Sequence, residues 1–293
     1  MVGTEPVRRT RKTPFIKLFD RTPPGIVCPH FYILSHANGC PFSCDYCYLR
    51  LTLRYVERLE VFTNLDDLRR EMAAFLSSMI PAVVSCGSLS DGLAFDHING
   101  LSRLLVPMFA RQDRHTLIFV TKSLNIGNLL DLDPMPWVVA SFSVNCDAVS
   151  RRYEKGAPSP RQRLAAARRL KDAGWRIRLR LDPLLPIENW QGEYAAIIDE
   201  INALQPEIVT LLGFFYFPKI LQHVREGREI FSLAREIGVD NRRRIPHPAR
   251  LALYRFCLDR LSVPAVGLCK ETLKMYADLG LDPGHVTCNC GTG

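Results

Sequence analysis

No run of roughly 18 to 20 uncharged apolar residues, the length a membrane-crossing helix needs, occurs anywhere in the sequence, and residues 1–17 are polar and basic where a secretory signal would be apolar. These absences predict a soluble, cytoplasmic protein with no membrane partner. Internal repeats and low-complexity tracts are also missing, which excludes a stacked-repeat architecture. Acidic residues are in short supply: 30 Asp and Glu face 38 Lys and Arg, a formal charge of +8. The excess is clustered at Arg161, Arg163, Arg168 and Arg169, at Arg176, Arg178 and Arg180, and at Arg242, Arg243 and Arg244. Such clusters either seat phosphates or form the solvated faces of basic helices.

Apolar material is not lacking. At 47% hydrophobic and 23% charged over 293 residues, the chain can bury one large core or two modest ones, so disorder is not the default. Residues 1–28 read as a basic arm, extended or partly disordered, with Arg8, Arg9, Arg11 and Lys12 among prolines. From there apolar runs and helical periodicity alternate. Strands are expected over 31–35, 82–86, 116–121, 137–144, 176–181 and 207–213, and helices over 66–78, 98–111, 162–173 and 193–204. That rhythm predicts an α/β core over 29–217, a parallel sheet with crossover helices closed into a full or partial barrel, with its site on the βα loops. Residues 218–293 read as a helical, cysteine-containing extension, with helices over 221–237 and 249–261.

Ten cysteines are plentiful for a chain read as intracellular, and argue for metal or redox chemistry over a disulfide framework. Cys40, Cys44 and Cys47 stand at C-x3-C-x2-C directly after the first expected strand. Three thiolates at that spacing can hold three corners of a 4Fe-4S cubane and leave the fourth iron open to an outside ligand. Zinc is the plainer alternative, but it favours a fourth protein ligand and a second C-x2-C knuckle, and none follows at the usual distance. Near the end, Cys269, Cys288 and Cys290 form a second concentration. They are either reduced thiols in a cap or, with Cys257 or His285, ligands of a second cluster or metal.

The segments Cys44-Asp-Tyr46-Cys47-Tyr48-Leu49, Cys86-Gly-Ser-Leu-Ser90-Asp91-Gly, Thr121-Lys122-Ser123, Ser141-Phe-Ser143-Val-Asn145, Glu154-Lys-Gly156-Ala-Pro-Ser159 and Asp182-Pro-Leu-Leu-Pro186 follow one another between residues 31 and 213. In that order they resemble the spore photoproduct lyase family of the radical S-adenosylmethionine (SAM) superfamily. The resemblance implies a partial (β/α)6 TIM-like barrel, a methionine moiety on the open iron and reductive cleavage of SAM to a 5′-deoxyadenosyl radical. It further implies hydrogen abstraction from thymine-dimer DNA, with Cys86 as hydrogen donor and Tyr48 beside it. Ser90 and Asp91 would meet the amino group of SAM, and Lys122, Ser141, Ser143 and Asn145 would face its remaining polar groups. A flavodoxin or ferredoxin would supply the electron.

Each role has a plain counterpart in the residue itself. Cys86 is also a small buried residue closing a turn, Tyr48 an aromatic packed on the loop, Asp91 a helix N-cap, and Lys122 a solvated lysine. The spacing from Cys86 to Ser90-Asp91 is two residues longer than the family pattern. No arginine follows Gly213, where Phe-Phe-Tyr-Phe stands instead. Substrates of the same chemistry, RNA, a nucleoside or a peptide, therefore remain open beside damaged DNA. A zinc-dependent nucleic-acid-binding module is the alternative of another class.

Overall fold

The computed structural model describes residues 5–224 and 226–291; the first four residues of the arm, residue 225 and the last two residues lie outside the described residues. Short runs rich in Val, Ile, Phe and Leu form eight strands: β1 Ile16–Phe19, β2 Phe31–Leu34, β3 Val83–Cys86, β4 Thr116–Thr121, β5 Val138–Val144, β6 Arg176–Leu184, β7 Val209–Gly213 and β8 Val266–Leu268. They lie side by side in chain order. β1 pairs antiparallel with β2 and every later neighbour pairs in parallel. Parallel neighbours need long crossovers, and helices supply most of them: α1 Leu65–Leu76, α2 Leu101–Phe109, α3 Pro160–Asp172, α4 Trp190–Leu204 and α5 His247–Arg260. α3 starts where Ser159 and Gln162 close a capping box with Pro160 in the first turn, and Gly174 follows it at φ +93°.

Successive strand residues point to opposite faces, and the core divides accordingly. Phe31, Val83, Ile118 and Val139 gather in the barrel interior. Val84, Cys86, Leu117, Phe119 and Phe142 gather outside with Leu105, Leu164 and Ile198 of the helices. Among the described residues no helix is long and apolar enough to cross a membrane.

Three expectations need correction. The arm is part of the fold: Val7–Arg9 pairs with Glu60–Phe62, β1 joins the main sheet, and Phe15 is buried. Glu71 on α1 holds this edge, accepting from the amides of Phe15 at 2.8 Å and Ile16 at 2.7 Å. The basic residues stay outside while the apolar ones reach the core, so overall charge misreads the segment. The helix expected over 221–237 is broken into a 3-10 turn Pro218–Gln222, a single helical turn Glu229–Ser232 and a strand Glu236–Ile237. Gly227, at φ +68°, ends any continuous helix there.

The third correction concerns the extension, which is not only helical. Its β8 extends the sheet, and the segment after His285 enters the barrel. Asn289 is fully buried; Ser141 Oγ donates to its Oδ1 at 2.8 Å, and its Nδ2 donates to the Leu179 carbonyl at 2.8 Å and Thr210 Oγ1 at 2.6 Å. Arg178 donates to the Asn289 and Gly291 carbonyls at 3.1 and 3.2 Å. A Cβ on Gly267 would overlap the Thr287 carbonyl oxygen. Gly267→Ala is therefore expected to displace the tail at a cost of about 1 to 3 kcal/mol, seen as faster alkylation of Cys288 and Cys290 than in the parent protein.

Candidate active site

The cysteine loop leaves β2 and ends in the short helix Leu49–Thr52. Cys44 is buried, Cys40 and Cys47 partly so. Several contacts fix its path. Ser43–Cys44 pairs antiparallel with Glu154–Lys155, and the Asp45 amide donates to the Tyr153 carbonyl at 2.8 Å. Arg50 donates to the Ser43 and Cys44 carbonyls, each at 3.2 Å, and Lys155 stands 3.5 Å from Asp45. Burial pushes all three thiols up, Cys44 to about 12.

Among the described residues no three Cys, His, Asp or Glu side chains stand close enough to hold a single metal ion. One ion demands sulfurs about 2.3 Å from a common point. A cubane offers each thiolate its own iron, so its ligands stand further apart, and this loop's spacing fits that donor set.

Behind the loop lies a buried charge network. Glu154, its side chain shut off from solvent, accepts from Tyr46 Oη, Arg163 Nη2 and, at 3.1 Å, Ser150 Oγ. Lys122, at the end of β4, lies 3.7 Å from Glu154, 3.9 Å from Asp182 and 6.0 Å from the Tyr46 ring centroid. Burial alone would raise the Glu154 carboxyl, but Lys122 and Arg163 hold it below the usual carboxylate range. For Lys122 burial works against the charge, and Glu154 and Asp182 more than offset it.

The loop after β3 closes the third side. Gly87, at φ +130°, packs where a Cβ would stand 2.7 Å from the Val120 carbonyl oxygen, and the Gly92 amide donates to that same oxygen at 2.8 Å. Tyr48 Oη donates to the Ser88 carbonyl, tying the cysteine loop to this one. Ser90 Oγ is buried with no hydrogen-bond partner, and neither ring nitrogen of His36 makes a well-formed one; burial lowers the His36 pKa to about 4, outweighing the opposing effect of the Asp91 backbone, and keeps the ring neutral.

The structure thus brings Cys40, Cys44, Cys47, Tyr48, Ser90 and Lys122 to one end of the barrel. Ser143 is buried nearby, on the face of β5 shared with Ser141. Others are already committed. Asp91 accepts from the amides of Leu93, Ala94 and Lys122 and from Thr121 Oγ1, so its carboxylate caps and ties loops. Ser141 is engaged by Asn289 and Arg180, and Asn145 bridges the Pro183 carbonyl and the Cys146 amide. Cys86 points away from the interior into the layer beneath the helices, with Leu34 and Phe119. The parity of β3 decides this, and it places Cys86 where its counterpart reading as a small buried residue put it.

A family model for spore photoproduct lyase matches residues 18–224. The chain belongs to the spore photoproduct lyase family. Within that family it is 29% identical over 219 residues to the spore photoproduct lyase of Geobacillus sp. (strain Y412MC61), covering 74% of this chain and 60% of that one. To the enzyme of Bacillus subtilis (strain 168) it is 25% identical over 205 residues, 69% of this chain and 57% of that. The chain therefore spans somewhat under two thirds of the length of these relatives. A solved spore photoproduct lyase complexed with dinucleoside spore photoproduct superposes with a TM-score of 0.74 at 20% identity, over 89% of this chain and 80% of that one. A mutant of that enzyme with bound AdoMet and dinucleoside spore photoproduct gives 0.68 at 20% identity, over 81% and 75%. These likenesses show the fold: the same open α/β barrel of parallel strands.

The family match takes in the cysteine loop, the end of β1 and β2 to β7, but not β8 or the tail. Two residues escaped sequence reasoning inside it. Glu154 opens a motif that was visible, but nothing local marks it as buried; its partners Tyr46, Lys122 and Arg163 lie 9 to 108 positions away. His36 had no ligand spacing to any other histidine, and its unpartnered ring nitrogens appear only in three dimensions.

Proposed function

We propose that this chain is a radical SAM enzyme of the photoproduct lyase type acting on thymine-dimer DNA. The carrying observation is the braced loop that sets Cys40, Cys44 and Cys47 at the end of the barrel where Ser90 Oγ and the His36 ring lie buried without partners. The three thiols would hold a 4Fe-4S cluster. When bound, that group would supply the electron for reductive cleavage of SAM to a 5′-deoxyadenosyl radical. A flavodoxin or ferredoxin is the class of electron donor this reading requires.

The chain's own residues position and exclude. The Glu154–Lys155 strand and Arg50 fix the loop against the barrel, and the Lys122–Glu154–Arg163 network makes its wall a set of ordered charges that need not reorganise during reaction. Ser90, Ser143 and His36 offer uncommitted polar atoms to SAM. Phe217, partly exposed, stacks on Arg242 at 4.7 Å. Arg242 is itself buried and lies 3.3 Å from Asp240, so it backs the ring, and the exposed face of Phe217 is what the pair offers to a base.

The test is anaerobic reconstitution with iron and sulfide, then dithionite and SAM, with 5′-deoxyadenosine measured for wild type and Cys44→Ala. Wild type is expected to release it and Cys44→Ala to stay at background, after which ultraviolet-irradiated DNA is the first substrate. A colourless protein holding tetrahedral zinc and making none would replace this reading with the binding-module one.

A further inference from the structure

The tail places two thiols inside the barrel that the reading above does not use. The Gly291 amide donates to the Cys288 carbonyl at 3.0 Å, closing a turn over Cys288-Asn289-Cys290. Such a turn keeps the two cysteines within the Cα separation of about 4.4 to 6.8 Å that a disulfide spans. The Cys290 amide approaches Cys288 Sγ at 3.5 Å, and Arg180 Nη2 donates to Cys290 Sγ at 3.3 Å. Asn289, between them, is pinned by Ser141, Leu179 and Thr210, so the pair is held in place.

Both thiols line a cleft of about 980 Å³ beneath the barrel, together with Phe31, Val83, Arg176 and Val286. Phe31, Val83 and Arg176 begin their strands, so the cleft opens at the end opposite the cysteine loop. We propose that Cys288 and Cys290 form a redox-active dithiol that exchanges with low-molecular-weight disulfides entering through this cleft. The inference does not rest on the radical chemistry, and the two thiols themselves lie beyond the residues of the family match, although the barrel residues that hold them lie within it.

The charge distribution agrees with the geometry. The hydrogen bond from Cys288 and the Arg180 guanidinium hold the Cys290 thiol well below its ordinary range against the effect of burial, while the same bond keeps the proton on Cys288. Cys146 and Cys257, buried in the core, are instead pushed up to about 11 and about 12. Cys290 is thus the attacking thiolate and Cys288 the resolving thiol.

Cys290 Sγ attacks one sulfur of the small disulfide; that S–S bond breaks, a mixed disulfide forms, and one thiolate leaves. Cys288 gives its proton to solvent and attacks the Cys290 sulfur, expelling the second thiolate. The protein pair loses two electrons, and the small disulfide gains them as two thiols. Closure withdraws the negative sulfur from Arg180, so the charge on the barrel floor follows the redox state.

The experiment treats the reconstituted protein anaerobically with oxidised glutathione, quenches with an alkylating agent and maps unreduced peptides. Wild type should yield a Cys288–Cys290 disulfide and two released glutathiones, with Cys290 modified at least about ten-fold faster than Cys257. Cys288→Ser should stop at glutathionylated Cys290 with one released, and Arg180→Met should slow the first step. The proposal fails if Cys290 reacts no faster than Cys257, if the map shows a Cys269–Cys290 bond, or if a retained metal blocks exchange until Cys290 is replaced. The wild-type map decides even if a variant does not fold.

Discussion

Glu154→Ala is expected to destabilise the protein by about 3 to 5 kcal/mol, because breaking a buried ion pair by removing one partner strands the other charge. Arg163 is fully buried; it keeps the Pro158 and Ser143 carbonyls at 2.8 and 3.1 Å but loses its anion. Lys122 is left with Asp182 alone, and Tyr46 with no acceptor for its hydroxyl. Urea unfolding at neutral pH measures the loss. Glu154→Leu combined with Arg163→Leu should recover much of it, since the cost lies in the uncompensated charge more than in the missing contact. A loss below about 1 kcal/mol would mean that solvent reaches the pair, as at an exposed salt bridge. Because Glu154 also pairs with Cys44 through the backbone, iron uptake on reconstitution should fall in Glu154→Ala and return in part in Glu154→Gln.

Below neutrality His36 should dominate the difference between two otherwise matched proteins. In the folded state it titrates at about 4, below its free value of 6.5, because burial opposes the charged ring. The unfolded chain therefore binds the proton first as pH falls. The stabilisation is complete above pH 6.5 and is lost as pH drops toward 4, by about 3 kcal/mol in all. Other carboxylates titrate over the same window, so the quantity to read is the wild-type slope minus that of His36→Gln. The expected difference is a steeper acid loss in wild type. Parallel slopes would show that the Asp91 backbone accepts the ring's proton well enough to offset its burial.

Much of the barrel was legible because its signals are local. Five of the six expected core strands begin and end within two residues of the observed ones, and the sixth, β6, runs on past 181 to Leu184. Runs of β-branched and aromatic residues between helical periods need no long-range information to be recognised. The cysteine loop was legible for the same reason: a ligand triplet is a spacing. The arm was misread because composition suggested a solvated tail, whereas the pairing of β1 with β2 and the anchoring by Glu71 depend on residues twelve or more positions away. The broken 221–237 segment was misread because one glycine outweighed its helical neighbours.

The sequence by itself determined the strand and helix order, the cysteine triplet and the family to which the chain belongs, since each is written in residues close together along the chain. Only the tertiary structure decided which way the residues of a strand face. β3 is buried at all four positions, so no alternation of polar and apolar residues revealed that Cys86 turns outward. It alone decided, too, that Asp91 is spent on tying loops and that Glu154 sits behind the site. It also brought Cys290 to Arg180 across 110 residues. Contacts of that separation follow from how layers pack, and packing is a property of the whole chain.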